Sequence, residues 1–181
     1  MNKDIKEILV TEKQISEIAS KLGSQITKDY KDSNTPILLG LLKGCIPFMA
    51  DLMRHIDIPV EVEFMDVKSY HDGISSSGDI KIRMDIGTSV FDRDVIICED
   101  IVDTGKTLDT VVRLLKHRGA KSVEVVTLLD KPAGRIIPFV PKYIGIEIPK
   151  VFVVGYGLDF DEQYRNLAYV GVLKEHLYKK E

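Results

Sequence analysis

The chain has 181 residues, of which 44% are hydrophobic and 29% charged, a composition typical of a single soluble globular domain. Its net charge of −3 at pH 7 disfavours proteins that bind nucleic acid through a general excess of basic residues. Two cysteines do not make a disulfide framework, which favours a reducing compartment. The charged first residues do not resemble a signal peptide, and no apolar run is long enough to span a membrane. We therefore expect a cytoplasmic protein without membrane contacts.

Helical and strand patterns alternate from the start of the chain. Thr11 and Gln14 have the spacing of a capping box, and apolar residues recur behind them at helical spacing. Residues 36–42 form a short, continuously apolar run, which is typical of a strand buried on both faces of a parallel sheet. Pro47 favours the start of a short helix. Residues 60–64 alternate between apolar and acidic side chains and predict a strand with one wet face.

The same alternation continues in the middle of the chain. A long polar loop is expected at residues 69–79, and a second buried strand at residues 94–98. Apolar residues at helical spacing then predict a helix that ends at Gly119, followed by a strand over residues 123–129 and a later one over residues 151–154.

This order of elements predicts the fold class. Strands that alternate with helices are typical of an α/β fold with a central, mostly parallel sheet flanked by helices. From Pro132 onward the pattern changes to loops and short strands without a long helix, and we expect this part to form a small hood over the sheet.

The segment after the strand at residues 94–98 carries the clearest chemistry, because ligands of open α/β sheets bind beyond the carboxyl ends of the strands. Glu99 and Asp100 are adjacent acids that suit sugar hydroxyls or a hard cation such as Mg²⁺. Residues 104–107 offer backbone N–H groups, two hydroxyls and a helix N-terminus, which suit a phosphate. A phosphate and a diol side by side describe a ribose 5-phosphate.

Two other interpretations of this segment are compatible with parts of its sequence. An Asp-Thr-Gly sequence at residues 103–105 is also compatible with a simple capped turn, but the two preceding acids repel each other and favour a functional site. Gly105-Lys106-Thr107 also resembles the end of a P-loop. Asp100 stands where the first glycine of that pattern belongs, and an acid there has the wrong sign for a phosphate cradle.

The sequence from Val95 to Thr107 resembles the ribose-phosphate motif of the type I phosphoribosyltransferases. Further segments, in the same order along the chain, resemble the hypoxanthine(-guanine) phosphoribosyltransferases; these are residues 41–44, 69–70, 76–78, 128–131 and 151–159. The similarity spans about residues 8–178. It implies a single-domain type I phosphoribosyltransferase fold over residues 1–181, with a hood built mainly from about residues 1–10 and 132–181.

The resemblance also implies an activity. The family joins N9 of a 6-oxopurine, hypoxanthine or guanine, to C1 of phosphoribosyl diphosphate in purine salvage and releases diphosphate. It implies Mg²⁺ as the cofactor, these two substrates as the binding partners and a homodimer or homotetramer as the assembly. Two alternatives stay open: a phosphoribosyltransferase for another base, and an RNA-binding regulator on the same fold, which the net charge of −3 disfavours.

The matching positions imply roles for individual residues. Asp103 matches the proton acceptor near purine N7, the catalytic residue, although an Asp there would also serve as a helix N-cap. Contacts to the ribose 5-phosphate are implied for Glu99, Asp100, Asp103, Thr104, Gly105, Lys106 and Thr107. Contacts to Mg²⁺ are implied for Glu99, Asp100 and Asp159.

The remaining roles concern the diphosphate, the purine and a lid. The diphosphate contacts match Lys43, Gly44 and Arg165. The purine contacts match Lys131, Phe152, Val153 and Asp159. In the family, the residue at Lys131 donates to the 6-oxo group and the aromatic at Phe152 stacks on the base. Ser69 and Tyr70 match a mobile lid that excludes water from the reaction.

Overall fold

The structure, a computed structural model, describes residues 2–69 and 80–178. Two sheets and three α-helices account for most of these residues. In chain order the elements are β1 (Ile5–Val10), α1 (Glu12–Asp29), β2 (Ile37–Leu41), α2 (Ile46–Met53), β3 (Glu61–Ser69), β4 (Ile80–Met84), β5 (Asp94–Val102), α3 (Lys106–His117), β6 (Ser122–Asp130), β7 (Tyr143–Glu147), β8 (Val153–Val154) and β9 (Val170–Leu173).

The central sheet has six strands in the order β4-β3-β2-β5-β6-β7. Strand β4 runs antiparallel to β3, and the other neighbours are parallel. The predicted α/β class with a mostly parallel sheet is therefore confirmed. The expected strands at residues 36–42, 60–64, 94–98 and 123–129 all lie in this sheet, and β5 extends four residues beyond its expected end, to Val102.

Apolar layers on both faces hold the sheet. Leu38 and Ile96 face a cluster that contains Phe48 of α2 and residues of α1, whereas Leu39 and Ile97 face a cluster that contains residues of α3. Side chains alternate between the two faces of a strand, so a strand covered on both faces needs an apolar residue at every position. This explains why β2 is continuously apolar and fully buried.

The expected capping box begins α1. The Thr11 hydroxyl accepts a hydrogen bond from the Gln14 N–H, and the Gln14 side chain accepts one from the Thr11 N–H. Two donors at the start of the helix, which have no partner inside it, are satisfied in this way.

The second sheet forms a hood in the order β1-β9-β8. The hood was expected mainly from about residues 1–10 and 132–181. Strand β7 at 143–147 pairs with β6 in the central sheet, so the hood sheet uses less of this region. Val10 and Val170 of the hood belong to the same apolar cluster as Leu38 of the central sheet. None of the helices in residues 2–69 and 80–178 combines the length and apolarity needed to cross a bilayer.

Candidate active site

Three polar segments lie at the carboxyl edge of the central sheet. Lys43 and Gly44 follow β2, residues 99–107 end β5 and lead into α3, and Lys131 follows β6. Because β2, β5 and β6 are parallel neighbours, their carboxyl ends lie side by side. The topology therefore brings together the segments that the sequence predicted as a site.

Glu99 and Asp100 lie half-buried near the end of β5. Burial raises the pKa of Asp100 to about 6, and burial together with the Asp100 charge raises the pKa of Glu99 well above its usual range. A Cβ on Gly44 would overlap the Asp100 carboxylate, so this glycine lets the loop after β2 pack against the acids. Two carboxylates with raised pKa values are stabilised in their charged form by a cation.

The acids fit a magnesium site that substrate has to complete. Within residues 2–69 and 80–178 no three His, Cys, Asp or Glu side chains lie close enough together to hold a metal ion by themselves. Mg²⁺ is often bound by one or two carboxylates together with phosphate oxygens of the substrate. Glu99 and Asp100 would supply the carboxylates, while the Asp159 carboxylate forms an ion pair with Arg165 at 2.8 Å.

The loop between β5 and α3 borders a small cavity that suits an anion. A cavity of about 170 Å³ is lined by Asp103, Thr104, Gly105 and Thr107, together with residues of β5. Gly105 has φ +79°, and a Cβ there would lie 3.0 Å from the Cβ of Phe139, so the turn requires glycine. The helix N-terminus and hydroxyls at this cavity suit a phosphate.

Asp103 and Lys131 form an ion pair across the ends of β5 and β6. The Lys131 side chain is 13% exposed and the Asp103 side chain 41%. Gly105 occupies the N-cap position of α3, so the expectation that Asp103 also caps this helix is wrong. A Cβ on Gly134 would overlap the Asp103 carboxylate, so Gly134 leaves room for the pair.

The expected diphosphate residues meet through an acid that the sequence had not indicated. The Glu162 carboxylate lies 3.2 Å from Lys43 Nζ and 3.3 Å from Arg165 Nη2. Hydrogen bonds from Lys43 and Arg165 lower the pKa of Glu162. The peptide between Leu42 and Lys43 is cis. The arrangement places two cations around one carboxylate, as they would surround a phosphate group.

A turn of the hood closes against the diphosphate segment. Arg165 donates to the Gly157 carbonyl at 2.7 Å, and a Cβ on Gly157 would overlap the Gly44 carbonyl. Gly157 has φ +101°, a conformation that favours glycine. The hood therefore positions Arg165 next to the loop after β2.

Phe152 precedes the first residue of β8 and is 36% exposed. Its ring stacks on Tyr178 with 4.7 Å between centroids and meets the edge of Phe160 at 5.7 Å. Lys131, Phe152 and Tyr178 line a cavity of about 340 Å³, and Val153 is buried in β8. Two of the four residues expected to contact the purine, Lys131 and Phe152, thus line one cavity together with Tyr178, whereas Val153 and Asp159 are not among its lining residues.

The expected lid lies only partly within the described residues. Ser69 is the last residue of β3, whereas Tyr70 lies outside the described residues, and so does the rest of the segment to residue 79. Four residues at the site were missed by the sequence reasoning. They are Tyr178, Glu162, Gly134 and Arg135, of which Arg135 donates to the Val102 and Asp103 carbonyls of the loop between β5 and α3. No motif marks them, and an isolated acid, glycine, arginine or tyrosine is common on any surface.

Comparisons with known proteins agree on one family. The model of the phosphoribosyl transferase domain matches residues 3–161. A hypoxanthine-guanine phosphoribosyltransferase of Lactococcus lactis subsp. lactis (strain IL1403) is 52% identical over 180 residues, which cover 99% of this chain and 97% of that protein. One from Streptococcus pneumoniae (strain ATCC BAA-255 / R6) is 52% identical over 178 residues, 98% of each chain.

A solved structure agrees with the sequence relatives. The crystal structure of a hypoxanthine phosphoribosyltransferase from Staphylococcus aureus superimposes with a TM-score of 0.93 and 48% identity. The superposition covers 99% of this chain and 97% of that one.

Proposed function

This chain belongs to the phosphoribosyl transferase family, and we propose that it is a purine-salvage enzyme acting on hypoxanthine and guanine. It transfers the 5-phosphoribosyl group of phosphoribosyl diphosphate to N9 of the base and releases diphosphate. The observation that carries this proposal is the Asp103–Lys131 ion pair beside the phosphate cavity. N7 and O6 are neighbours on one edge of a 6-oxopurine, so an acceptor and a donor held side by side match that edge.

The places of the residues at the site support a role for each of them. The N–H groups and hydroxyls of residues 104–107 bind the 5-phosphate, and the carboxylates of Glu99 and Asp100 face the ribose hydroxyls. The bond from C1 to the diphosphate oxygen breaks, and a bond from C1 to N9 forms. Asp103 accepts the proton that the purine loses, and Lys43 and Arg165 balance the charge of the departing diphosphate.

Mg²⁺ is the proposed cofactor. The raised pKa values of Glu99 and Asp100 support a cation beside them. When bound, it would neutralise charge on the diphosphate. Asp159 lies near enough to raise the pKa of Asp100, which supports its assignment to the same charged region.

Lys131 also supports selection of the base. Its ammonium has three donors and no acceptor, so it pairs with the 6-oxo group of hypoxanthine or guanine. Adenine presents an amino group at this position, and a donor would then face a donor in a cavity where Lys131 is 13% exposed. Sites of this kind reject the mismatched analogue by about 10⁴-fold.

We further propose one domain, a homodimer or homotetramer, and a cytoplasmic location. The apolar cluster shared by the hood and the central sheet supports one domain. Ile46 and Met53 of α2 are 49% and 40% exposed, which supports a contact between copies. Cys45 and Cys98 are free and buried, as expected in a reducing compartment.

The test is a panel of bases with purified protein, phosphoribosyl diphosphate and Mg²⁺. Product formation is followed by chromatography for hypoxanthine, guanine, xanthine, adenine and uracil. We expect turnover with hypoxanthine and guanine, weak turnover with xanthine and none with adenine or uracil. Comparable kcat/KM for adenine and hypoxanthine would refute the role of Lys131, and turnover of uracil alone would show that the base is a pyrimidine.

A further inference from the structure

Three successive carbonyl groups in the phosphate loop point toward the segment after β6. The Val102 carbonyl accepts from Arg135 Nη1 at 2.8 Å, and the Asp103 carbonyl accepts from the same nitrogen at 2.6 Å. The Thr104 carbonyl accepts from the Ile136 N–H at 3.1 Å. The Val102 carbonyl also accepts from the Lys131 N–H at 2.9 Å. The carbonyl groups on this side of the loop are therefore held by the segment that follows β6.

The other side of these peptides follows from covalent geometry. The peptide bonds after Val102, Asp103 and Thr104 are trans. In a trans peptide the C=O and N–H groups point in opposite directions. The N–H groups of residues 103, 104 and 105 consequently point away from residues 135 and 136, and these three residues line the cavity beside the loop.

These N–H groups have no acceptor in the part of the chain that the structure describes. Backbone N–H groups in such a half-buried loop normally find a partner. Three of them directed to one side form a concave anion site. The contacts behind the loop thus prepare the N–H groups for a ligand that supplies acceptors.

The Arg135 guanidinium is itself held in place. Its side chain is 13% exposed, and Nη2 pairs with Asp130, whose side chain is 9% exposed. The planar guanidinium carries five donors in a fixed fork, so one end can pair with a carboxylate while the other binds carbonyl oxygens. A lysine ammonium is a compact point charge and lacks this geometry.

We propose that Arg135 is a positioning residue for the 5-phosphate of the substrate. It does not contact the phosphate. It fixes the peptides of residues 102–104 so that their N–H groups form the cradle, and it ties the cradle to Asp130 at the end of β6. The assignment of the cradle to the 5-phosphate rests on the proposed function, whereas the orientation of the N–H groups does not.

The test compares binding of ribose 5-phosphate to wild type, Arg135→Gln and Arg135→Lys by calorimetry, without turnover. A displaced loop should cost the phosphate at least one hydrogen bond from the backbone N–H groups. Loss of one hydrogen bond to a charged group weakens binding by about tenfold or more, so we expect at least that loss in both variants. Lysine keeps the charge opposite Asp130, so R135K should recover stability without recovering affinity. In the kinetic assay, both variants should show a KM for phosphoribosyl diphosphate that is about tenfold or more above the wild-type value. Their KM for hypoxanthine should stay within about twofold of the wild-type value.

A matched control is Arg93→Gln. Arg93 lies at the opposite end of β5, where Nη2 donates to the Thr35 carbonyl and to Glu61, both at 2.7 Å. This variant loses a comparable ion pair and carbonyl contact, so its melting temperature should fall with no change in affinity for ribose 5-phosphate. If R135Q does not fold, the double variant Asp130→Asn with Arg135→Gln takes its place in the test, because it also removes the buried Asp130 charge that R135Q leaves unpaired.

Several outcomes would overturn the proposal. One is a folded R135K variant that binds ribose 5-phosphate as tightly as wild type. Another is a loss of affinity in R93Q that equals the loss in R135Q. An equal rise in KM for both substrates would also overturn it, because a general loss of structure has no reason to spare hypoxanthine. If wild type binds ribose 5-phosphate but transfers the phosphoribosyl group of phosphoribosyl diphosphate to no base, the proposed function fails while the role of Arg135 is still decided by the binding data.

Discussion

Gly134→Ala tests whether the position of Asp103 determines the rate. Gly134 ends a short 3₁₀ turn at residues 132–134, and its φ is not positive, so the backbone accepts alanine. A Cβ there would overlap Asp103 Oδ1 and would lie 2.9 Å from Asp103 Cγ and 3.2 Å from Lys131 Cε. The Asp103 side chain is 41% exposed and can turn toward solvent, so the methyl group should displace the carboxylate and leave the fold intact.

The geometry sets the expected size of the effect. Non-bonded carbon atoms pack at about 3.5–4.0 Å, so Asp103 Cγ has to move by about 0.6–1.1 Å from its 2.9 Å position. A misplacement of about 1 Å can cost about 100-fold in rate, equivalent to about 2.7 kcal/mol of activation free energy. Alanine in place of a glycine with compatible φ usually stabilises by about 0.4–1 kcal/mol, so Tm should not fall markedly.

The assay is initial-rate formation of the purine nucleotide at saturating substrates, together with thermal unfolding. Gly87→Ala is the matched control, because a Cβ there would come no closer than 3.6 Å to Glu63, and its kcat should be unchanged. Asp103→Asn should lower kcat by about 10²–10⁴-fold. Since both changes act on one carboxylate, D103N with G134A should be no slower than D103N alone. A folded G134A protein with wild-type kcat would refute the reasoning.

Three further predictions concern the cation, the base and the diphosphate. Excess chelator should abolish turnover and added Mg²⁺ should restore it; full turnover in chelator would contradict the cofactor assignment. Lys131→Ala should raise KM for hypoxanthine by about tenfold or more with a smaller change for phosphoribosyl diphosphate, because a charge-assisted hydrogen bond to the base is lost; steady-state kinetics that show equal changes would argue against the base contact. Glu162→Gln should lower KM for phosphoribosyl diphosphate severalfold, because the diphosphate no longer competes with a carboxylate for Lys43 and Arg165; an unchanged or higher KM would mean that Glu162 holds these cations for the substrate.

Much of the central sheet was predictable because local patterns and burial agree there. The apolar run at β2 and the capping box at Thr11 each specify their element without help from distant residues. Strand β4 was missed because it is an edge strand whose pairing with β3 depends on a partner and not on its own pattern. The hood strands β8 and β9 are only two and four residues long, so their own patterns are weak. Strand β7 belongs to the central sheet because it pairs with β6.

The residues at the ends of β2, β5 and β6 were predictable as a site because parallel strands bring their carboxyl ends to one edge of a sheet. The sequence by itself thus determined the acids, the phosphate loop and Lys131 as candidates. Tertiary structure alone decided that Asp103 pairs with Lys131, that Glu162 lies between Lys43 and Arg165, and that Arg135 holds the loop from behind. Such contacts join residues that are up to 119 positions apart, and no local pattern records them. Their energies arise from charges and hydrogen bonds that exist only after the chain has folded and removed these groups from water.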